Sequence, residues 1–249
     1  MNAFSLAEAS VDTRIRRRWV RRAIEAKGKK VLDCGCGVGI YSKDVLVSGG
    51  KAFGIDAEKT LVEQATMEIG KKFGAADAIN LPFRPGSFEI VLLTDVLEHL
   101  DEPGKALTEI HKVLSLGGSL IITVPHKNMQ KVYDFLSMKK EEHGHLRLYD
   151  EDMVSSQLDA CGYKINFIRR IQSPIAGLVG MAVAKIALWK YGDKKVRECQ
   201  MTVETQKNTI LSLSYVIVAN ILYMPLALIE LASPQKIGTE LLIVAEKRD

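Results

Sequence analysis

The sequence predicts an α/β protein built on a doubly wound, mostly parallel sheet of seven strands. Three observations carry that expectation. Short apolar runs alternate with amphipathic stretches from residue 29 to about 171, a glycine-rich turn follows the first run, and a last apolar run at 241–246 comes after a long excursion. A chain of 249 residues accommodates one such domain with an insertion. Its 47% hydrophobic and 26% charged residues suffice for a packed core and exclude global disorder.

The first element, in residues 1–28, is a basic helix. Val11, Ile15, Trp19 and Ala23 recur at helical spacing beside Arg14, Arg16, Arg17, Arg18, Arg21 and Arg22. The segment 11–24 therefore reads as an amphipathic helix that either lies on a membrane surface or packs over a binding cleft. No apolar run precedes its charges, so it is not a secretory signal, and a cytoplasmic protein is expected. Four cysteines in a chain of this length make no disulfide framework and imply a reducing compartment. Cys34 and Cys36 lack metal-ligand spacing, and no metal is expected.

The main domain spans 29–171 and 240–249. Its strands are read at 30–33, 51–55, 72–75, 88–93, 119–124, 164–171 and 241–246, with helices between them. Gly49-Gly50 and Gly117-Gly118 stand just ahead of strands, and Pro103 suits the first turn of a helix over 103–114.

The chemistry begins where the first strand ends, in Asp33-Cys34-Gly35-Cys36-Gly37-Val38-Gly39. Glycine lets the backbone turn sharply and approach a ligand where a Cβ would collide, and the following helix offers free N–H groups. A dinucleotide fingerprint would place its third glycine at position 40, which is Ile. A carboxylate at position 33 suits a cationic ligand rather than a phosphate. Asp56, at the end of the second strand and followed by Ala57, stands where two ribose hydroxyls would need acceptors. Asp77-Ala78 follows the third strand and Thr94-Asp95 the fourth, so four successive strand ends aim polar groups at one crevice.

These residues resemble the seven-stranded, Rossmann-like class I S-adenosylmethionine-dependent methyltransferases, in particular the group that includes the ubiquinone and menaquinone methyltransferases. The resemblance runs from Val31 to about Ile171. Asp33, Gly35, Gly37 and Gly39 match the family's first motif, Asp56 its second, and Asp77 with Ala78 its third; the stretches 88–100 and 113–125 are also similar. It implies S-adenosylmethionine as cofactor, with Asp33, Gly35, Cys36, Gly37, Gly39, Asp56, Ala57, Asp77, Ala78, Thr94 and Asp95 around it. Glu98 and His99 either pack under the next helix or serve the acceptor.

Methyl transfer from a sulfonium needs alignment above all, and a base only where the acceptor must lose a proton. The candidates for that base are His126, just after the fifth strand, and His143 and His145, the last in a His-x-Arg-x-Tyr run that resembles an acceptor-side segment of related enzymes.

The excursion 172–239 is too long for a plain connection and is expected to be an apolar helical insertion. Residues 208–229 carry no charge, enough in principle to cross a bilayer. Yet the last strand must rejoin the sheet, and the uncharged run at 173–184 is too short for a second crossing. Peripheral contact through 173–233 with the inner face of a membrane, cover over a lipophilic small-molecule acceptor, or a homodimer interface remain. The leading expectation is a methyltransferase of a lipophilic small molecule. The alternatives are a polar metabolite as acceptor with the insertion used for dimerisation, or a cofactor-binding protein without turnover. A net charge of +4, and the absence of an Asn-Pro-Pro or Asp-Pro-Pro run at Thr94-Asp95-Val96-Leu97, argue against nucleic acid.

Overall fold

The computed structural model describes residues 11–70, 72–137, 145–175 and 237–248. The residues of the expected insertion between 176 and 236 lie outside them.

Seven strands form one sheet in the order β3-β2-β1-β4-β5-β7-β6. They are β1 (Lys30–Cys34), β2 (Lys51–Asp56), β3 (Phe73–Ala75), β4 (Phe88–Thr94), β5 (Leu114–Pro125), β6 (Tyr163–Ile171) and β7 (Glu240–Lys247). Neighbours from β3 to β5 pair in parallel, and β7 slots between β5 and β6 antiparallel to both. The sheet is thus mixed at one end, and the site-bearing ends of β1, β2 and β4 share an edge with the end of β6 and the start of β7.

The apolar runs are continuous because both faces are covered, and strand alternation divides each run between two cores. Leu32, Val91, Leu93, Leu120, Ile122, Leu241, Ile243 and Ala245 pack on one side. Val31, Ile90, Leu92, Ile121, Leu242 and Val244 pack on the other. The first face receives α4 (Pro103–Val113) through Ala106, Leu107, Ile110 and Val113, and α6 (Glu151–Ala160) through Val154 and Leu158. Both sets recur at helical spacing. Asp150 caps α6 by accepting from Met153 N at 2.8 Å. The second face receives α1 (Val11–Ala23) and α2 (Ile40–Val47), with α3 (Lys59–Ile69) packed on Ile40 through Leu61 and Ile69, while α5 (Met129–Leu136) follows β5 and buries Val132 and Tyr133 in a cluster of its own.

Gly117 and Gly118 lie within β5 rather than ahead of it. Their segment bulges: Phe88 pairs with Leu114 and Ile90 with Ser119, so regular register resumes at the residue where the strand was expected to begin.

The basic helix is divided in use. Ile15 and Val20 are buried, and Trp19 packs against that core with its ring 4.0 Å from the Arg169 guanidinium. Arg17 Nε donates to Asp44 Oδ2 at 2.5 Å, whereas Arg21 and Arg22 are exposed. Among the described residues, no helix is long and apolar enough to cross a membrane.

Candidate functional site

The turn after β1 is tied to β2 by backbone groups. Gly35 N and Cys36 N both donate to Ile55 O at 2.8 Å, and Gly39 N donates to Cys36 O at 2.8 Å. Gly35, Gly37 and Gly39 all have positive φ, at 80°, 51° and 87°. Their surroundings differ. A Cβ on Gly35 would lie 2.2 Å from Val96 Cγ2, so this glycine lets the turn press against the segment after β4; a Cβ on Gly37 would meet nothing within 4 Å. The open side of the turn is at Gly37.

Asp56 joins that open side to the end of β2. Its Oδ2 accepts from Gly37 N at 2.8 Å and its Oδ1 from Glu58 N at 2.9 Å, and each oxygen retains a lone pair for a further donor. Ala57 is exposed beside it. Asp33 is only 1% exposed. Ser42 donates to its Oδ2 through N (3.0 Å) and Oγ (2.6 Å), while Oδ1 is buried with no hydrogen-bond partner among the described residues. Burial, reinforced by the charge of Asp56 and opposed by Ser42, pushes the Asp33 carboxyl up to about 6. Burial likewise raises the thiols of Cys34 and Cys36, so both stay protonated.

Asp77 is exposed after β3, where it accepts from Ile79 N at 3.1 Å, and Ala78 is buried behind it. Thr94 is buried at the end of β4. Asp95 adopts φ 53°, and its N donates to Thr123 O at 3.1 Å while Thr123 Oγ1 donates to its Oδ1 at 3.1 Å. Arg16 of α1 pairs with Asp95 and donates from Nε to Glu240 Oε1 at 2.5 Å, so the helix is latched to β4 and β7 by one guanidinium. The sequence reading treated Arg16 as one of a row. The signal that separates it is the pair of acidic residues, Asp95 and Glu240, at two strand ends that need a counterion.

Of the histidines expected near the acceptor, His143 lies outside the described residues and the other two part company. His126 is buried after β5, with Nδ1 accepting from Asn128 N at 3.0 Å and Nε2 3.4 Å from Glu151 Oε2. Burial, aided by Arg170, holds it below the usual histidine range. His145 lies in a cluster instead. Its Nδ1 is 2.9 Å from Tyr133 Oη, its Nε2 is 4.0 Å from Glu98 Oε1, and its ring centroid is 5.1 Å from that of His99. Glu98 is 1% exposed and its Oε2 has no hydrogen-bond partner among the described residues. Burial raises its carboxyl well above the ordinary range, with Asp95 adding to the shift. Tyr133 was missed from sequence because nothing in its own helix marks it. His145 and Tyr133 come together only through the fold.

Comparison with known proteins agrees with this architecture. Residues 32–122 match the methyltransferase domain family. Over 116 residues the chain is 32% identical to a ubiquinone biosynthesis O-methyltransferase of Dechloromonas aromatica, covering 44% of this chain and 50% of that one. An uncharacterised protein of Methanocaldococcus jannaschii is 28% identical over 175 residues, covering 67% and 70%. The chain spans about half the length of the ubiquinone-pathway relatives it matches. Among solved structures, a Methanosarcina mazei S-adenosylmethionine-dependent methyltransferase superposes with TM-score 0.57 at 16% identity, covering 92% of this chain and 97% of that one. The [4+2]-cyclase SpnF gives TM-score 0.59 at 19% identity, covering 99% and 79%. At such identities these two share the fold. Over residues 32–122 the chain thus resembles the methyltransferase domain family, on a Rossmann-like fold that it shares with these solved structures.

Proposed function

We propose that the protein transfers the methyl group of S-adenosylmethionine to an oxygen of a lipophilic small molecule. The observation that carries this reading is the meeting, along one sheet edge, of a nucleoside-sized turn and a histidine–carboxylate cluster. When bound, S-adenosylmethionine supplies a methyl already activated by its sulfonium. The residues present fit it. Gly37 leaves space where a side chain would otherwise stand, Asp56 keeps acceptor capacity for ribose hydroxyls, and the unpartnered Oδ1 of Asp33 suits a cationic tail. Asp77, Thr94 and Asp95 complete the wall on neighbouring strand ends.

On the acceptor side, His145 takes the proton of the acceptor hydroxyl, with Tyr133 holding its ring through Nδ1. His126, whose two ring nitrogens already face Asn128 and Glu151, is the weaker base. Alignment of the reacting atoms by these walls supplies most of the acceleration, of the order of 7–11 kcal/mol in well-oriented systems.

Two observations support a lipophilic acceptor. The similar enzymes named for ubiquinone biosynthesis act in a lipid pathway, and residues 208–229 of this chain carry no charge. The excursion that contains them leaves after β6 and returns before β7, at the edge that bears the site. We place the protein in the cytoplasm, touching the inner face of the membrane through 173–233 and the exposed arginines of α1. The test is methyl transfer from labelled S-adenosylmethionine into lipid and polar extracts, with liposome flotation of the full chain and of a variant in which a short turn replaces 174–237. Label in lipid, with flotation lost in the variant, is expected. Label confined to polar metabolites would overturn the acceptor class.

A further inference from the structure

We propose that the cavity between α1 and the outer strands of the sheet binds a small amphiphilic anion, one carboxylate or phosphate group carried on an apolar body. The cavity has a volume of about 680 Å³, within the range of roughly 300–1,000 Å³ usual for small-ligand sites. α1 and the chain after it form one wall, with Trp19, Arg22 and Lys29, and β6 and β7 form the floor, with Phe167, Arg169 and Val244. It is a second site, apart from the crevice described above. Ile90 and Ser119, which pair near the amino ends of β4 and β5, also border the cavity, whereas the crevice opens at the carboxyl ends. Ile90 and Thr94 are four residues apart on β4, which at a strand rise of about 3.3 Å per residue separates the two levels by about 13 Å.

The charge of the cavity points to an anion. Arg169 Cζ lies 4.0 Å and Arg22 Cζ 5.2 Å from the centroid of the Trp19 ring, so two guanidiniums share one indole. Among the described residues, none of Arg22, Lys29 and Arg169 pairs with a carboxylate, and the buried Arg169 Nε has no hydrogen-bond partner. Glu25 is the one acid bordering the cavity, which leaves two positive charges in excess there. The arginines that fasten α1 to the sheet are the contrast, since Arg16 and Arg17 each meet a carboxylate. Water serves the exposed Arg22, but it does not serve the half-buried Arg169. The planar fork of a guanidinium matches the oxygens of a carboxylate or phosphate.

The apolar part of the ligand follows from the floor. Phe167 is 42% exposed beside Val244 and offers a hydrocarbon body a surface from which water is released. A flat bilayer surface would reach Phe167 and Arg22 but not the half-buried Arg169 and Lys29, whereas a small ligand reaches all four. The sequence hides the site, because Trp19, Lys29 and Arg169 meet only when β6 folds in beside α1.

The test is calorimetric titration of the full-length protein with octanoate and with octyl phosphate below their micelle thresholds, with octanol as the neutral control. One equivalent of an anion is expected, with octanol at least tenfold weaker. Affinity should fall at least fivefold in Arg169→Gln and in Lys29→Gln, and stay unchanged in Lys59→Gln, an exposed cation of α3. Lys29→Gln breaks no ion pair and keeps the test independent of the Arg169–Trp19 contact, and binding of S-adenosylhomocysteine reports that each variant is folded. Saturating S-adenosylhomocysteine should leave the octanoate equivalent in place. Absence of binding, equal affinity for octanol, unchanged affinity in both variants, or displacement by S-adenosylhomocysteine would overturn the site. Binding to phosphatidylglycerol vesicles without response to either soluble anion would also overturn it and make this patch a membrane contact.

Discussion

The turn after β1 and the segment after β4 lie side by side on one edge of the sheet, yet their polar groups are treated in opposite ways. In the β1–β2 half the backbone is bound before any ligand arrives: Ile55 O takes two N–H groups, and Asp56 takes one from Gly37 and one from Glu58. In the β4 half, Glu98 is buried, its Oε2 has no hydrogen-bond partner among the described residues, and its Oε1 lies 3.9 and 4.0 Å from two histidines. Apart from the unpartnered Asp33 Oδ1, the first half satisfies its own polar groups, holds a fixed shape and suits an invariant ligand. A half with unmet polar capacity suits a ligand that brings the missing partner. On the proposed reading, the fold separates cofactor recognition from acceptor chemistry.

The sharpest way to break this comparison is at the glycines. Gly35→Val forces a β-branched residue into φ 80° and against Val96, and should remove about 3 kcal/mol or more of stability, read by urea unfolding, together with all S-adenosylmethionine binding. Gly37→Ala meets no neighbour, so its stability loss should be about 1 kcal/mol, while cofactor affinity falls by more. Normal affinity in Gly37→Ala would show that the ligand does not approach the open side of the turn.

Arg16→Ala comes next, because it strands Asp95 and Glu240 beside Glu98. Breaking such a buried pair costs about 3–5 kcal/mol, and the melting temperature should drop accordingly. A variant as stable as the parent would mean that α1 is held by Ile15, Val20, Trp19 and the Arg17–Asp44 pair without this latch.

His145→Ala should lower turnover about a hundredfold while S-adenosylmethionine affinity, measured by calorimetry, stays within twofold. If affinity falls in parallel with turnover, the two halves are not separate.

The smallest effect concerns pH. Asp33 has a raised carboxyl in the folded protein, so the folded state binds the extra proton between the unfolded value near 4 and about 6. Stability should therefore decline as pH rises through that window and level off above it. Binding of a cationic tail needs the ionised form, so S-adenosylmethionine affinity should weaken roughly tenfold from pH 7 to pH 5. An Asp33→Asn variant should lose this dependence, and affinity that stays flat with pH in the parent would detach Asp33 from the tail.

The sheet was legible because each strand reports itself through its own apolar run, and the turn after β1 because glycine at alternating positions is a local signal. Only β5 began more than one residue early, since the bulge at 115–118 contains glycines that mimic a turn. The candidate cofactor half has the same local character: Asp33 and Asp56 lie at strand ends and Asp77 two residues beyond one. The acceptor half does not. His145, Tyr133 and Glu98 belong to three separate segments, and their juxtaposition depends on where the chain after α5 returns to the segment after β4, through Leu146 N donating to Glu98 O at 3.0 Å. The arginine row was legible as a helix but not in its duties, because helical spacing identifies the apolar stripe and says nothing of which flanking charge meets a carboxylate. Arg16 and Arg17 are ion-paired and half-buried; the exposed Arg21 lies 3.8 Å from Asp44 and the exposed Arg22 lies over the Trp19 ring.

At the boundary of β6 and β7, Thr239 donates to Gln172 O from N at 2.8 Å and from Oγ1 at 3.0 Å. The chain therefore departs and returns through a single gate, and the register of β7 is set beneath it by pairing with β5 and β6. Closure entropy grows only logarithmically with length, about 0.6 kcal/mol for each doubling. Connections of very different size can then be grafted at this point with little penalty to the sheet. Gly238 must travel with the graft, since a Cβ there would lie 2.7 Å from Arg170 Cβ and 2.8 Å from Ile171 O. The junction makes the protein a natural host for exchange of this connection between relatives, with residues 172 and 239 as the splice points.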